Sequence, residues 1–473
     1  RMNLIEIIKL QIIKTSDINK KIRLLKELGG MLWANNVGIY NLNSLERAVI
    51  EDVARDYTPQ IGSQYKKKKN NVFVITIGYM SGGHTRLMEN LANMLDNKCD
   101  LIITGNASVT LKKRLEKYFN EIFEIPVYND TNINELYKLS ANLERYENII
   151  LNIHPDDIAS VIAAGLAKKN INTYVHFVNH ADHVFSFGPT VADVWYQISQ
   201  FGAKLDQLRE LSGKTTFLGI PIAINDDHLS NNMISTNDEV KCIITAGSAN
   251  KYKPHKGYSL IKKIPEILYQ FPEASIIVVG TNILFCYWWW GTFLKFRKRI
   301  KFYKALNHSE YLLLMQNADI YLDSYPIPGG TAFVEQFFLG KKCAGYISPQ
   351  QGYTPLENIK CDITSSELNK INNVDIIEKI KYVHSFDNVK NRFLSAINKQ
   401  VMTTINWDYY YKWTGDINFF KLEKIREIPL YLLLECGKEN SSLKCIVSQY
   451  KIITIISLIK NFIRLYVSKL KGK

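Results

Sequence analysis

One segment, residues 318–341, constrains the fold of this chain more than any other. It begins with an apolar run typical of a strand, Ala318–Asp323, and passes through a turn rich in proline and glycine, Pro326–Gly330. Thr331 is expected to cap a following helix, whose apolar positions are Phe333, Val334, Phe337 and Phe338. Because backbone N–H groups and the helix dipole attract negative charge, and glycine admits a ligand close to the backbone, this segment predicts a phosphate site.

Strand and helix patterns alternate along both halves of the 473-residue chain, which is long enough for several domains. Strand patterns occur at 72–77, 101–103, 149–151 and 173–177, and again at 241–246, 274–279 and 300–303. Their alternation with helices predicts parallel sheets with crossover connections, and hence an α/β fold. We predict five regions: an N-terminal helical segment (1–68), a first Rossmann-like domain (69–225), a second Rossmann-like domain (239–395), return helices (396–445) and a basic amphipathic helix (446–473).

The segment around Gly329 and Gly330 resembles the donor-nucleotide motif of the GT-B glycosyltransferases. In that family a Gly-Gly-Thr-like turn meets the diphosphate of the donor, and a glutamate on the next helix, here Glu335, binds the sugar or the ribose. Gly340 matches the glycine that follows this glutamate by five residues. The Asp-x-x-Pro-x-x-Gly-Gly-Thr form, which begins at Asp323, is most similar to the branch of O-linked GlcNAc transferases and bacterial N-glycosyltransferases.

This resemblance implies a GT-B fold, in which two doubly wound Rossmann-like domains face a central cleft. The first domain would hold the acceptor and the second the nucleotide sugar, bound at the carboxyl ends of the strands. The donor-binding residues that the motif implies are Pro328, Gly329, Gly330, Thr331 and Glu335. Ile327 stands eight residues before Glu335, where the retaining branch usually carries a second glutamate, so the motif favours inversion at the anomeric carbon.

The loop after the strand at 241–246 is predicted to complete the donor site. Related enzymes place an arginine or lysine here, because cleavage of the sugar–phosphate bond builds negative charge on the diphosphate. The candidates in this chain are Gly247, Ser248, Lys251, Lys253 and Lys256, and the sequence leaves open which lysine contacts phosphate. No strand pattern ends in an Asp-x-Asp metal motif. We therefore expect no metal and no cofactor, with the nucleotide sugar as a substrate.

A glycine-rich loop with a histidine, Ser81–Arg86, follows the first strand and opens a helix. It resembles the Gly-Gly-His loop of inverting GT-B enzymes such as the peptidoglycan GlcNAc transferase. At a helix N-terminus the pKa of His84 should be lowered, so that the neutral imidazole can accept a proton from a sugar hydroxyl. Gly82, Gly83 and Arg86 would line the acceptor side of the cleft. The alternative is that His84 only caps the helix or binds an acceptor phosphate.

A second polar cluster, residues 176–183, carries three histidines and one aspartate. Its spacing matches no standard zinc site, and a strand sends alternate side chains to opposite faces, so we predict no metal there. The run is similar to segments that line the domain cleft in bacterial polysaccharide glycosyltransferases. His180 or Asp182 is therefore a second candidate base, and His183 a candidate hydrogen-bond partner of the donor. The alternative is a buried polar turn.

The net charge of +14 indicates an anionic partner, and its distribution favours a membrane surface. Residues 446–473 contain six Lys or Arg and no Asp or Glu, with Ile and Phe filling the intervening positions. On a helix this pattern gives an apolar face and a basic face, as in an interfacial membrane helix. The alternative is a terminal helix that packs on the body of the protein, with its charges in solvent.

Residues 285–299 form a second basic and aromatic stretch, which includes three consecutive tryptophans, Trp288 to Trp290. Three consecutive side chains cannot all face one core, so some should lie near the surface, where Trp, Lys and Arg suit a bilayer interface. A surface for a partner protein and a groove for an acceptor lipid are the alternatives. No nucleic-acid-binding module is recognised, so we predict no nucleic-acid partner.

Together these patterns predict a metal-independent glycosyltransferase that moves a sugar from a nucleotide donor, UDP-linked by resemblance, to a glycan or lipid-linked acceptor hydroxyl. The implied product is a bacterial surface polysaccharide such as lipopolysaccharide O-antigen or capsule. Seven cysteines without paired spacing, no signal peptide and no apolar run of 18 residues indicate a cytoplasmic protein at the inner face of the plasma membrane. The alternatives are a nucleotide-sugar epimerase of the same fold and a non-catalytic scaffold of polysaccharide assembly.

Overall fold

The computed structural model describes residues 4–59, 69–80, 83–225, 239–304, 306, 308–363, 374–438, 455 and 459. Gly82 lies outside the described residues. So does the predicted amphipathic helix at 446–473, apart from Ile455 and Ile459, which are exposed. None of the described helices combines the length and apolar character needed to cross a bilayer.

Three helices precede the first sheet: α1 (Leu4–Lys14), α2 (Ile18–Ala34) and α3 (Asn43–Asp56). Asp17 caps α2, because its carboxylate accepts a hydrogen bond from the N–H of Lys20 at 3.0 Å. On α3 the buried carboxylate of Glu46 accepts hydrogen bonds from the N–H groups of Gly188 at 3.0 Å and Thr190 at 3.1 Å. These helices share one apolar core with the first sheet, so they form an added layer of the first domain.

The first sheet has seven parallel strands, in the spatial order β3-β2-β1-β4-β5-β6-β7. The strands are β1 (Lys69–Ile75), β2 (Cys99–Ile103), β3 (Phe119–Glu124), β4 (Tyr146–Asn152), β5 (Tyr174–Val178), β6 (Val194–Gln197) and β7 (Lys214–Phe217). The helices that follow them are α4 (Gly83–Met94), α5 (Val109–Leu115), α6 (Ile133–Leu143), α7 (Ile158–Ile171) and α8 (Gln200–Asp206). The central strands are buried on both faces, which explains their continuous apolar runs.

The second sheet has five parallel strands, in the order β10-β9-β8-β11-β12. The strands are β8 (Cys242–Ala246), β9 (Ser275–Val279), β10 (Ile300–Tyr303), β11 (Ile320–Leu322) and β12 (Lys342–Ala344). The accompanying helices are α9 (Ile264–Gln270), α10 (Trp290–Phe296), α11 (His308–Gln316) and α12 (Thr331–Phe338). The two doubly wound parallel domains confirm the predicted GT-B class of α/β fold.

The chain returns to the first domain through two helices, α13 (Val374–His384) and α14 (Phe386–Lys399). Val389 and Phe393 of α14 join the core of the first sheet. Arg392, also on α14, is buried and donates hydrogen bonds to the carbonyl oxygens of Leu218 and Val383 at 2.8 and 2.7 Å. The returning helix thus begins ten residues before the boundary predicted at 396.

Two short helices follow, α15 (Trp407–Tyr410) and α16 (Leu430–Gly437), and α16 packs on α1 and α2. The region predicted as return helices therefore contains little helix between residues 411 and 429, where the chain forms turns and irregular backbone.

Some elements escaped the sequence patterns. The edge strand β3 exposes Asn120 and Glu121, and β7 is a four-residue edge strand with two exposed residues, so neither gives a strong apolar run. The α-helix after β8 begins only at Ile264, after a series of turns.

Candidate active site

A cleft of about 460 Å³ lies between the carboxyl ends of the two sheets. Its volume falls within the usual range of small-molecule sites. The first domain contributes Gly83, His84, Arg86, Leu87, Asn90, His180, Asp182, His183, Ile198, Ile220 and Pro221. The second contributes Lys251, Ile327, Pro328, Gly329, Gly330, Thr331, Glu335, Gln350 and Tyr353. The structure therefore brings together, in one cavity, the predicted donor turn, His84, and the residues His180, Asp182 and His183 of the second polar cluster.

The turn before α12 leaves the backbone of Gly330 open to this cleft. Gly330 has φ 62° and ψ −106°, and a Cβ atom built on it would meet no atom within 4 Å. Glycine is favoured here because this backbone conformation strains other residues, and it leaves room for a ligand to approach the backbone. Thr331 was expected to cap the helix, but this prediction is wrong: Gly330 occupies the cap position and Thr331 is the first helical residue.

A buried ion pair holds the turn from behind. Asp323, which follows β11, accepts hydrogen bonds through Oδ1 from the N–H groups of Ser324 and Gly329, each at 2.9 Å. Its Oδ2 accepts from Lys360 Nζ at 2.6 Å, and both side chains are only 1% exposed. A Cβ on Gly329 would lie 2.5 Å from Asp323 Oδ1, so the turn packs directly on this carboxylate. The start of α12 is thereby fixed at the edge of the cleft.

Of the three candidate lysines, only Lys251 lines the cleft. Its Nζ donates to the carbonyl oxygen of Pro328 at 3.0 Å, and within the described chain no carboxylate lies at ion-pair distance from it. Burial lowers the pKa of Lys251 from its ordinary value, and the nearby charge of Asp323 opposes that effect. An ammonium group in this setting gains from an anion in the cleft, because the anion would replace lost hydration.

The remaining loop candidates lie away from the cavity wall. Lys253 is exposed, with its Nζ 5.9 Å from the ring centroid of Trp288, and Lys256 Nζ donates to the carbonyl oxygen of Asn418 at 2.8 Å. Gly247 and Ser248 lead from β8 into the short turn that carries Lys251. They position the lysine, and neither is among the lining residues.

Glu335 and Arg86 face each other from opposite domains. Glu335 lies one helical turn after the glycines, and its Oε1 is 3.9 Å from Nη1 of Arg86 on α4. Both side chains are substantially exposed, so the contact is screened by solvent. The pair is an ion-pair contact between the donor side and the acceptor side of the cleft.

The imidazole of His84 has a fixed orientation at the start of α4. Its Nε2 lies 2.9 Å from the carbonyl oxygen of Ile77, a partner that can only accept a hydrogen bond. Nε2 therefore carries the proton, and Nδ1 is left as the acceptor. Burial lowers the pKa of His84 from the ordinary value of 6.5, so the ring is neutral at pH 7. This arrangement suits a general base.

His180 stacks on His84, with ring centroids 5.2 Å apart and planes inclined by 25°. Its buried Nδ1 has no hydrogen-bond partner among the described residues. Burial lowers the pKa of His180 to about 3, and the neighbouring His84 adds to the effect. A base with so low a pKa accepts a proton poorly at neutral pH, so His84 is the better candidate.

Asp182 is engaged in structural contacts. Only 2% exposed, it accepts hydrogen bonds from the hydroxyl groups of Ser199 and, at 2.9 Å, Tyr353 of the second domain. A Cβ on Gly202 would lie 2.6 Å from the Asp182 side chain, so the carboxylate is tightly enclosed. These contacts tie the two domains together and favour a positioning role over that of a base.

The other two histidines of the 176–183 cluster have different surroundings. His176 is buried in the sheet, where Nδ1 and Nε2 bond to Tyr196 Oη and Asn148 Oδ1 at 2.9 and 3.1 Å, so it is a core residue. His183 lines the main cleft and also a neighbouring cavity of about 900 Å³ beside α2 and residues 427–434. Among the described residues, no group of three or more His, Cys, Asp or Glu side chains is arranged to hold a metal.

Several lining residues were not predicted, and Gln350 and Tyr353 are two of them. They lie in the polar loop 348–354 that follows β12, and Gln350 Nε2 donates to Tyr353 Oη at 3.0 Å. Their position after a parallel strand was the available signal, because loops at the carboxyl ends of such strands surround the ligand site.

Comparison with known proteins finds a likeness of fold. No protein-family model matches the chain, and neither does any curated protein. Solved structures do. A mutant O-GlcNAc transferase of Thermobaculum terrenum matches at 11% identity and a TM-score of 0.47, over 80% of this chain and 77% of that one. HepE of Anabaena, in complex with UDP and glucose, matches at 16% identity and a TM-score of 0.45, over 70% of this chain and 97% of that one.

A UDP-N-acetylglucosamine 2-epimerase matches at 12% identity and a TM-score of 0.40, over 72% of this chain and 99% of that one. The neighbours thus include an O-GlcNAc transferase as well as an epimerase. These likenesses carry neither activity nor substrate to this chain, so the proposed function rests on the cleft itself.

Replacement of the two stacked histidines separates the candidate bases. His84→Ala should lower the turnover rate by about 10²–10⁴ with donor affinity largely kept, because a base acts on the chemical step. A large rate loss in His180→Ala or Asp182→Asn, with His84→Ala nearly silent, would assign the base to the second cluster.

The pH dependence of the wild-type rate gives a second test of His84. Because the pKa of His84 is lowered from the ordinary histidine value of 6.5, the turnover rate should fall only as the pH drops below 6.5 and the ring becomes protonated.

Proposed function

We propose that this protein transfers a sugar from a nucleotide sugar, UDP-linked, to a hydroxyl group of a glycan acceptor. The observation that carries the proposal is the pairing, in one cleft, of a phosphate-type site with a neutral histidine base. The site consists of the ammonium group of Lys251 and the glycine turn at the N-terminus of α12, and the base is His84.

The donor diphosphate would lie against Gly330 and the start of α12, within reach of Lys251. Two features support this placement: the open space around Gly330 gives room for an anion, and the ammonium group of Lys251 attracts one. Glu335, one turn further along the helix, would accept hydrogen bonds from hydroxyl groups of the sugar or the ribose. Each of these residues belongs to the second domain, which is consistent with a donor domain.

The reaction would be a displacement at the anomeric carbon. The acceptor oxygen forms a bond to this carbon while the bond from carbon to diphosphate oxygen breaks, and UDP leaves with the bonding electrons. His84 takes the hydroxyl proton on Nδ1, and Lys251 with the helix N-terminus stabilises the charge on the departing diphosphate. Inversion is favoured because the base lies on the acceptor side of the cleft and the leaving group on the donor side.

The acceptor would approach from the neighbouring cavity at His183. Trp33 lies in its wall, 41% exposed, with its ring centroid 4.6 Å from that of His154. An exposed aromatic ring beside polar groups suits a carbohydrate chain, whose rings have apolar faces and hydroxyl edges. We infer that the acceptor is a growing surface polysaccharide of a bacterium, such as O-antigen or capsule, carried at the inner face of the membrane.

Product analysis with a panel of nucleotide sugars tests the proposal. A substrate should raise the thermal unfolding midpoint, because a ligand that binds the native state stabilises it. With acceptor present, UDP should be released and the sugar should appear on the acceptor. A product sugar that keeps its nucleotide would instead identify an epimerase, and binding without turnover a scaffold.

A valine at the phosphate turn should block the donor. Gly330→Val places a branched side chain in the open space of the cleft, so we expect UDP affinity to fall by at least about a hundredfold, from steric exclusion of the diphosphate. Isothermal titration measures this loss. Gly257→Val is the matched control, because Gly257 also has a positive φ, 86°, and open space around its Cβ but lies outside the cleft. Equal UDP affinity in the two variants would remove the turn from the donor site.

A further inference from the structure

An insert between β9 and β10, residues 282–299, projects apolar side chains into solvent. Its exposed members are Leu284 (74%), Phe285 (79%), Tyr287 (65%), Trp290 (49%) and Leu294 (71%). Single exposed apolar residues are common on protein surfaces, but a contiguous group is typical of an interaction site. Here five large side chains are exposed within one short segment.

Most of these side chains share one face. The 3₁₀ turn Tyr287–Trp289 runs directly into α10, and the non-helical backbone of Cys286 separates it from an earlier 3₁₀ turn, Ile283–Phe285. Along the continuous path from residue 287 to residue 296, Tyr287, Trp290 and Leu294 are spaced by three or four residues, which aligns them on one side of a helix. Trp290 Nε1 donates to the carbonyl oxygen of Ile283 at 2.8 Å and holds the turn against α10. We call this face, together with the exposed Leu284 and Phe285 of the earlier turn, the apolar stripe.

The insert is anchored in the second domain by different side chains. Trp289 is fully buried, with ring centroids 5.8 Å from Tyr252 and 5.2 Å from Phe302, and Cys286 is buried beside it. The three consecutive tryptophans thus divide between core and surface, as the sequence predicted. Because the anchoring residues already fill the core, the apolar stripe is left outside as a defined feature of the folded insert.

Positive charge surrounds the apolar stripe. From residue 274 to residue 309 the sequence has six Lys or Arg and no Asp or Glu. Lys295, Arg297 and Lys298 are exposed, and Lys295 Nζ lies 5.4 Å from the ring centroid of Tyr269. Arg299 is instead used internally, since it donates to three backbone carbonyl groups. Aromatic and aliphatic side chains next to lysine and arginine match the interface of an anionic bilayer.

We propose that the apolar stripe and the cations Lys295, Arg297 and Lys298 dock this protein on an anionic lipid surface. The apolar side chains enter the boundary between headgroups and acyl chains, and the cations lie among the headgroups. A purely apolar partner would leave these cations uncompensated, whereas anionic headgroups pair with them. Membrane docking itself does not depend on the proposed function. Only the purpose of docking, which is to hold the cleft near a lipid-carried acceptor, rests on that function.

Vesicle binding by the full chain tests this surface without any assay of activity. Wild-type protein should cosediment with vesicles of phosphatidylcholine and phosphatidylglycerol, less with phosphatidylcholine alone, and less at high salt, because salt screens the cations. The double variant Phe285→Ser, Leu294→Ser should lower the partition coefficient by about tenfold or more, since two large apolar side chains no longer enter the bilayer. Val109→Ser, Val374→Ser is the matched control, because both valines are similarly exposed elsewhere.

The outcomes separate the possible occupants. Lost vesicle binding with UDP affinity kept supports the proposal and leaves the donor site to its own test. Vesicle binding equal to wild type in the stripe variant overturns the proposal, and if deletion of 446–473 then abolishes binding, the terminal segment is the anchor. Unchanged vesicle binding with a smaller mass in light scattering would instead identify the stripe as a contact between copies of this chain.

Discussion

The buried ion pair between Asp323 and Lys360 is the constraint on which the candidate site depends. One carboxylate oxygen accepts hydrogen bonds from two backbone N–H groups of the turn, and the other accepts a hydrogen bond from the ammonium group of Lys360. Loss of one partner of such a pair leaves an uncompensated buried charge, at a cost of about 3–5 kcal/mol. Because Asp323 directly follows β11 and Gly330 caps α12, the pair converts a strand end into a fixed, glycine-lined edge of the cleft.

The cleft also depends on contacts that cross between the domains. Asp182 of the first domain accepts a hydrogen bond from Tyr353 of the second, and α14 returns to pack in the first core through Val389 and Phe393. These contacts keep the His84 wall opposite the wall that carries Lys251. The chemistry proposed here needs both walls, since the base removes a proton on one side while the diphosphate leaves on the other.

The sequence was sufficient to predict the α/β fold, because buried parallel strands give continuous apolar runs, and to predict the glycine turn at α12. It could not choose among Lys251, Lys253 and Lys256, since the choice depends on which side chain the turn after β8 directs into the cleft. From the sequence, Asp182 was also a candidate base. Its hydrogen bonds with Ser199 and Tyr353 were not predictable, because they join residues distant in the chain. Long-range pairing of this kind leaves no local pattern.

The affinities of UDP and uridine, compared by calorimetry, test the diphosphate site. We expect the diphosphate to tighten binding by about ten- to a thousandfold, the range expected for one or two charge-assisted hydrogen bonds. Lys251→Met should remove much of that difference, whereas Lys256→Met, which alters a lysine outside the cleft, should keep it. Equal affinity of the wild-type protein for UDP and uridine would contradict a diphosphate site at this turn.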